Sequence, residues 1–446
     1  MSLRAKLLQG GTWAANGFVI ATIIQMVVNI VLVRILPPPI LGDYYLLINI
    51  ISFLVILGTM GMSQTILKLV PACITNSNYD LAKQYLYKSI NISVLFSLSV
   101  AAVFFIIFPK LYPLFFYSSF SAEWMVLVLA WFFVMVLQYL LSSMLRALHD
   151  LKSVVLLSDI LPKILLLIGL YFIWENNAHS MLPNILVLLA SVSFISVIIL
   201  FLKLQSYFRT KSKSNNESDE QSILTLAFPL WATSIMLYLL TSGDIWIIGF
   251  FLSTSDVAIY ASVLKLTILL SLVFNLLITV ITPAISELFH KQDLKKLELL
   301  LRGTTAISGI PALIMALIFF VYGEFILGFI FGEFYETGSF VLKILSIGIV
   351  VNILTGPCGT VLMYTNNQKL MMNITIVSGI FTIVGSLYLV KLYGIAGVAV
   401  ASSLGMIMQN VLMFSSVRYR LGIWTHFSIT HLKEIGIFSG KRNVSV

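Results

Sequence analysis

The stretch LPNILVLLASVSFISVIILFLK, Leu182–Lys203, carries no charged side chain until its last residue, and the chain turns polar directly after it. Crossing about 30 Å of hydrocarbon at 1.5 Å per residue takes about 20 apolar residues in a helix, so this stretch is long enough to span a bilayer. Lipid offers no partner to backbone N–H and C=O groups. A continuous apolar run of this length satisfies its own as a helix, whereas barrel strands are shorter and alternate. Working outward, further stretches of this kind fall at about 12–36, 43–70, 84–109, 122–146, 153–175, 223–252, 256–283, 299–322, 338–364, 370–391 and 395–417, which with the first make twelve. The predicted fold class is all-α: a polytopic membrane protein of twelve transmembrane helices.

Composition agrees. Of 446 residues 59% are hydrophobic and 10% charged, where a soluble domain has about 25% charged. With mean hydropathy +1.01 there are too few polar residues to cover a soluble core. Two cysteines, Cys73 and Cys358, cannot make a disulfide framework, no His/Cys cluster has metal-ligand spacing, and no cofactor motif is present. The five histidines, His149, His179, His290, His426 and His431, all fall in loops or the tail, which argues against an intramembrane histidine relay.

The formal charge of +9 would suggest nucleic acid in a soluble protein, but here it sets topology. With the N-terminus placed inside, 21 of the 27 basic residues fall at cytoplasmic ends or loops, Arg34, Lys110 and Lys391 lie outside, and Lys163, Lys265 and Lys343 lie within spans. Both termini are therefore expected in the cytoplasm. The basic start Arg4 and Lys6 is followed by too long an apolar run for a signal peptide, with no small-residue cleavage site before Arg34, so an uncleaved first helix is expected. The polar run through Arg209, Lys211, Lys213, Asn215, Glu217, Asp219 and Glu220 reads as a solvated linker at mid-chain. The expected organisation is a first six-helix lobe at 1–203, a cytoplasmic linker at 204–222, a second lobe at 223–417 and a cytoplasmic tail at 418–446.

The halves repeat. Leu41-Gly42-Asp43-Tyr44 recurs as Val257-Ala258-Ile259-Tyr260 at an offset of 216, Asp80-Leu81-Ala82-Lys83 as Asp293-Leu294-Lys295-Lys296 at 213, and Ser143–Lys152 as Thr360–Lys369 at 217. Six helices, a linker and six more in the same orientation make a parallel repeat, whose binding site is expected in a central cavity between two pseudo-symmetric lobes.

A charge inside the bilayer costs several kcal/mol unless paired or wetted, so each is a candidate site residue. Asp159 and Lys163 are four apart on one helix face; they are either a neutralised structural pair beside Pro162 or a substrate-binding lysine with a coupling carboxylate. Asp244 and Lys265 stand at similar depths on successive helices and admit the same two readings. Lys343 lies near its helix start and can snorkel. Arg34 beside Asp43 reads as an interfacial anchor or a marginal cavity cation. The embedded balance of Arg34, Lys163, Lys265 and Lys343 against Asp159 and Asp244 favours an anionic, phosphate-bearing substrate. Asn16, Gln25, Asn29 and Asn275 could hydrogen-bond sugars or neighbouring helices.

Gly11-Thr12-Trp13, Val33-Arg34-Ile35-Leu36, Leu41-Gly42-Asp43-Tyr44 and Gly58-Thr59-Met60-Gly61 with Lys68 resemble the N-terminal pattern of the bacterial polysaccharide-biosynthesis, O-antigen type flippases. Asp244, Ile248-Gly249-Phe250-Phe251 and Val257-Ala258-Ile259-Tyr260 with Lys265 resemble the same family's seventh and eighth helices, with Ala258 where a glycine is usual. That family belongs to the multidrug/oligosaccharidyl-lipid/polysaccharide (MOP) exporter superfamily, which has a MATE-like fold. Twelve spans argue against its lipid II branch, and the lack of an acidic residue in helix one argues against proton-coupled extruders. The resemblance implies a flippase, not an enzyme, that moves an undecaprenyl-diphosphate-linked oligosaccharide to the periplasmic face of a bacterial inner membrane by alternating access, for O-antigen, lipopolysaccharide or capsule. It implies a monomer in the bilayer that works beside a polysaccharide polymerase and a chain-length regulator, with no nucleic-acid partner. Asp244 and Asp159 are then the candidates for ion coupling. The alternative is a cation-coupled multidrug or small-solute exporter of the same fold. A membrane glycosyltransferase or polymerase fits less well, because outer loops such as 323–337 are short.

Overall fold

The computed structural model describes residues 3–75, 78–117, 122–175, 181–211 and 223–428, and among these every regular element is helical. In chain order they are α1 (Leu3–Ile35), α2 (Pro38–Thr59), α3 (Met62–Thr75), α4 (Tyr79–Phe115), α5 (Ala122–Ala147), α6 (Leu151–Val154), a π-helical turn (Val155–Ile160), α7 (Leu161–Glu175), α8 (Met181–Lys211), α9 (Ile223–Phe251), α10 (Thr254–His290), α11 (Leu294–Phe331), a 3-10 turn (Glu333–Gly338), α12 (Ser339–Thr355), α13 (Cys358–Tyr364) and α14 (Gln368–Leu421). Among the described residues, ten helical spans are each long and apolar enough to cross a bilayer, and α9, bent by 52° between Leu239 and Thr241, makes an eleventh. The twelfth comes from α14. Its 54 residues are folded at Gly394, whose φ of 58° and ψ of −139° no helix contains. Gln409 then donates to the Thr375 hydroxyl at 3.1 Å and Gly405 closes on Thr382, so the two halves of α14 lie side by side.

Two crossings are interrupted where the sequence reads as continuous. Between α2 and α3, Met60 and Gly61 adopt left-handed conformations (φ 47° and 72°), and Ser93 of α4 donates to the freed Thr59 carbonyl at 3.1 Å. Between α12 and α13, Gly356 has φ 86° and precedes Pro357, which cannot donate to the helix. α8 continues through Lys211, so the polar connection opens as helix; the rest of it, 212–222, lies outside the described residues.

The sequence repeat returns in the backbone. At Leu145–Asp150, Leu288–Asp293 and Leu362–Asn367 the last residue's N–H bonds the carbonyl five positions earlier at 3.0, 3.1 and 3.0 Å. The residue before it is left-handed each time: His149 at 61°, Gln292 at 57°, Asn366 at 61°. His149 and Asn366 stand at the 217-residue offset. This is a helix C-terminus closing directly onto the next N-cap. Asp150 accepts from Ser153 N and Asp293 from Lys296 N, both at 3.1 Å. The Asp293 carboxyl is held below the usual carboxylate range by the side-chain and backbone hydrogen bonds of Lys296. Its cap is therefore intact at neutral pH and is lost only as pH falls through that lowered value.

The chain forms two compact units: residues 1–245 with 253–258, and residues 246–252 with 259–446. In the first, Trp131 of α5 donates to Ser193 of α8 at 3.1 Å. Gly58 lets α2 close on Ser97 of α4 and Phe132 of α5, and buried Asp43 accepts the Tyr117 N–H at 2.9 Å. In the second, Ser403 of α14 donates to the Ile344 carbonyl at 2.9 Å, beside Gly348. After α14 the chain does not continue as helix: residues 422–428 form a strap over the α12–α13 break. Thr425, fully buried, donates to the Thr355 carbonyl at 2.7 Å and accepts from Thr305 at 2.9 Å, and Phe427 N–H reaches the Leu354 carbonyl at 2.8 Å.

Candidate functional site

Two embedded charges of the first unit, Asp159 and Lys163, lie in and directly after the π turn. Asp150 caps α6, the chain widens into the π turn at Val155–Ile160, and α7 resumes with Pro162 as its second residue. A proline ring crowds the carbonyl four residues back, and a wider turn before it makes room. The turn packs on α1 where Gly17 has no side chain; a Cβ there would run into Val155. One turn along, the Lys163 ammonium donates to the Ala21 carbonyl at 3.1 Å. Asp159, inside the π turn, is half-buried and feels the charges of Arg146 at the end of α5 and of Lys163. Beside it the Ser158 hydroxyl is buried with no hydrogen-bond partner among the described residues.

Asp159 and Lys163 therefore share a helix face, as their spacing predicts, but among the described residues no ion pair within 4.0 Å joins them. Lys163 bonds a backbone carbonyl of α1, and Arg146 is a second cation acting on the carboxylate. Of the other predicted residues, Arg34 is exposed in the last turn of α1 and Asp244 is half-buried in α9, both in the first unit. Lys265 in α10 and Lys343 in the second turn of α12 are half-buried in the second unit. Beside Asp244, a Cβ on Gly243 would meet no atom within 4 Å. Asn29 is a helix-to-helix link: it is buried, donates to the Gln25 carbonyl at 2.8 Å and accepts from Tyr45 at 3.5 Å.

A second polar feature of the first unit is absent from the sequence reading. Residues 223–245 of α9 pack on α2 and α3 through a seam of side-chain hydrogen bonds. Trp231 Nε1 donates to the Ile56 carbonyl at 3.1 Å, Gln64 to Ser234 at 2.6 Å, and the Tyr238 hydroxyl lies 2.7 Å from both the carbonyl and the side-chain oxygen of Asn49. Gly61 at the α2–α3 break lies under Ala227 and Trp231. No charge marks this seam, and Ser, Tyr, Asn and Gln are unremarkable in a span; only their convergence is informative. Tyr238→Phe is expected to cost about 1–2 kcal/mol by leaving Asn49 underbonded, read as a lowered Tm of the detergent-solubilised protein.

The helix inventory, with its broken and folded crossings, defines a class. The fold is similar to that of solved MOP-superfamily transporters. A MATE family transporter of that superfamily in an inward-facing conformation matches with TM-score 0.72 at 13% identity, over 90% of this chain and 94% of its own. The lipid II flippase MurJ in an inward closed conformation matches with TM-score 0.72 at 14% identity, over 95% and 89%. A MOP superfamily transporter from Pyrococcus furiosus, described as having a binding pocket of reverse polarity, matches with TM-score 0.66 at 13% identity, over 94% and 95%. The chain belongs to the polysaccharide biosynthesis protein family, which it matches over residues 7–289. It is also 23% identical over 241 residues to a probable low-salt glycan biosynthesis flippase, Agl15, of Haloferax volcanii, covering 53% of this chain and 51% of that protein. The chain thus spans about half the length of the curated relative it matches.

Proposed function

We propose that this protein is a flippase for a lipid-linked glycan. The observation that carries the reading is the charge placed within the spans of a polysaccharide-biosynthesis family member: Lys163, Lys265, Lys343 and the marginal Arg34 against Asp159 and Asp244. Lipid-linked sugars carry a phosphate or diphosphate, and ammonium and guanidinium groups attract phosphate strongly where water is scarce. The substrate we favour is an undecaprenyl-diphosphate-linked repeat unit, passed from the cytoplasmic to the periplasmic face of a bacterial inner membrane by alternating access of the repeats 1–203 and 223–417. Lys163, Lys265 and Lys343 bind the diphosphate in turn, and Asp159 and Asp244, the carboxylates within the spans, are the groups suited to take up and release a coupling cation or proton. The product would feed a polymerase with its chain-length regulator.

The test is a deletion strain. It is expected to lose surface polysaccharide and to accumulate the lipid-linked intermediate, identified by mass spectrometry of extracted lipids, with the glycan still facing the cytoplasm. Unchanged surface glycan together with new sensitivity to cationic drugs would replace this reading with that of an exporter of the same fold.

A further inference from the structure

Where α4 begins and α8 ends, the first unit has a cavity of about 330 Å³, within the size range of small-molecule sites. Its floor is apolar, with Phe208 buried and Phe201 exposed towards the surroundings, and its rim carries Lys83, Tyr87, Gln205 and Arg209. The Lys83 ammonium stands 6.0 Å from the Tyr87 ring centroid. Four other basic residues near helix ends have carboxylates: Lys203 with Asp150 at 3.9 Å, Lys291 with Glu287 at 2.6 Å, Lys296 with Asp293 at 3.0 Å and Arg302 with Glu298 at 3.2 Å. Among the described residues, no carboxylate lies within 4.0 Å of Lys83 or Arg209. Two cations with no acidic partner among the described residues thus face one cavity whose walls are aromatic and aliphatic.

Depth along the helices narrows the ligand. The apolar stretches of these two crossings run at about 84–109 and 182–203, so Lys83 and Arg209 sit at the edge of the hydrocarbon while Leu86 and Phe201 lie within it. A ligand there meets cations at its head and hydrocarbon below. That is the geometry of a phospholipid: a phosphodiester between the ammonium and the guanidinium, Gln205 and Tyr87 within the polar layer, and acyl chains beside Phe201. Basic pockets between helices at this depth suit anionic headgroups.

We propose that this cavity is a binding site for the phosphodiester headgroup of an anionic membrane phospholipid. It is separate from the embedded charges assigned to transport and does not depend on that assignment. The test is native mass spectrometry of the full-length, detergent-solubilised protein titrated with phosphatidylglycerol, with phosphatidylcholine and inorganic phosphate as competitors. Wild type is expected to hold one phosphatidylglycerol preferentially, which neither competitor displaces. The Lys83→Ala/Arg209→Ala double variant is expected to bind it roughly thirty-fold more weakly, since each cation near the surface contributes about a five-fold factor. Lys203→Ala, the loss of one positive charge on α8 at a residue paired to Asp150, is expected to bind as wild type does. Should the double variant not be recovered folded, the single Lys83→Gln and Arg209→Gln variants are each expected to weaken binding about five-fold. Equal phosphatidylglycerol affinity in wild type and variants would overturn the proposal. So would displacement by inorganic phosphate at concentrations comparable to the lipid, which would make the cavity a free-anion site.

Discussion

Lys265→Ala is expected to abolish surface polysaccharide display while the protein still reaches the membrane at wild-type levels. Lys265 is a half-buried cation deep in α10, far from either end of its crossing. Under the proposed function it meets the substrate phosphate away from bulk water. A hydrogen bond to a charged group contributes about 1.5–3 kcal/mol there, so its loss lowers flux roughly ten- to hundredfold. Lys265→Arg keeps the charge and is expected to retain part of the display. The measurements are surface glycan by staining and protein by immunoblot of the membrane fraction. Normal display in the alanine variant would remove Lys265 from the mechanism. Loss of both display and membrane protein would assign it to folding.

Gly42→Leu is expected to prevent accumulation of folded protein. A Cβ on Gly42 would run directly into the Thr254 carbonyl, with two further Thr254 backbone atoms at 2.5 and 3.0 Å. Backbone cannot rotate aside as a side chain can, so α2 would have to part from the start of α10. The cost exceeds the usual overpacking penalty of about 1–3 kcal/mol, a large fraction of a typical domain's stability. Gly243→Ala is the companion experiment, because that position faces open space and alanine favours a helix interior by about 0.5–1 kcal/mol. Size-exclusion profiles and Tm of the two solubilised proteins should diverge sharply. A Gly42→Leu protein that melts with wild type would show that the α2–α10 approach is not needed for the fold.

Much of the fold was legible because hydrophobic length is a property of composition. Each of the twelve apolar runs became helix, and the repeat seen in short, degenerate matches reappeared as the same left-handed turn at His149 and Asn366. The breaks were less visible. Gly61 and Gly356 take left-handed conformations inside runs of unbroken apolarity, and hydropathy does not register φ. At the candidate site, the four-residue spacing put Asp159 and Lys163 on one face, but the ammonium of Lys163 bonds the Ala21 carbonyl of α1, a backbone group that residue type cannot advertise. The π turn was invisible because it is a change of hydrogen-bond register rather than of residue type. The α9 seam was missed for a related reason, since uncharged polar residues in a span gain meaning only from what they face.

The strap of residues 422–428 has a consequence for how the chain is made. Thr425 and Phe427 bond the Thr355 and Leu354 carbonyls and the Thr305 hydroxyl, groups synthesised some seventy to one hundred and twenty residues earlier. While α11, α12 and α13 enter the membrane, those groups wait without their final partners. The second unit is therefore completed only after translation has passed Phe427, so that its insertion and its closure are separate events, and a stalled nascent chain would hold an inserted but unlatched bundle.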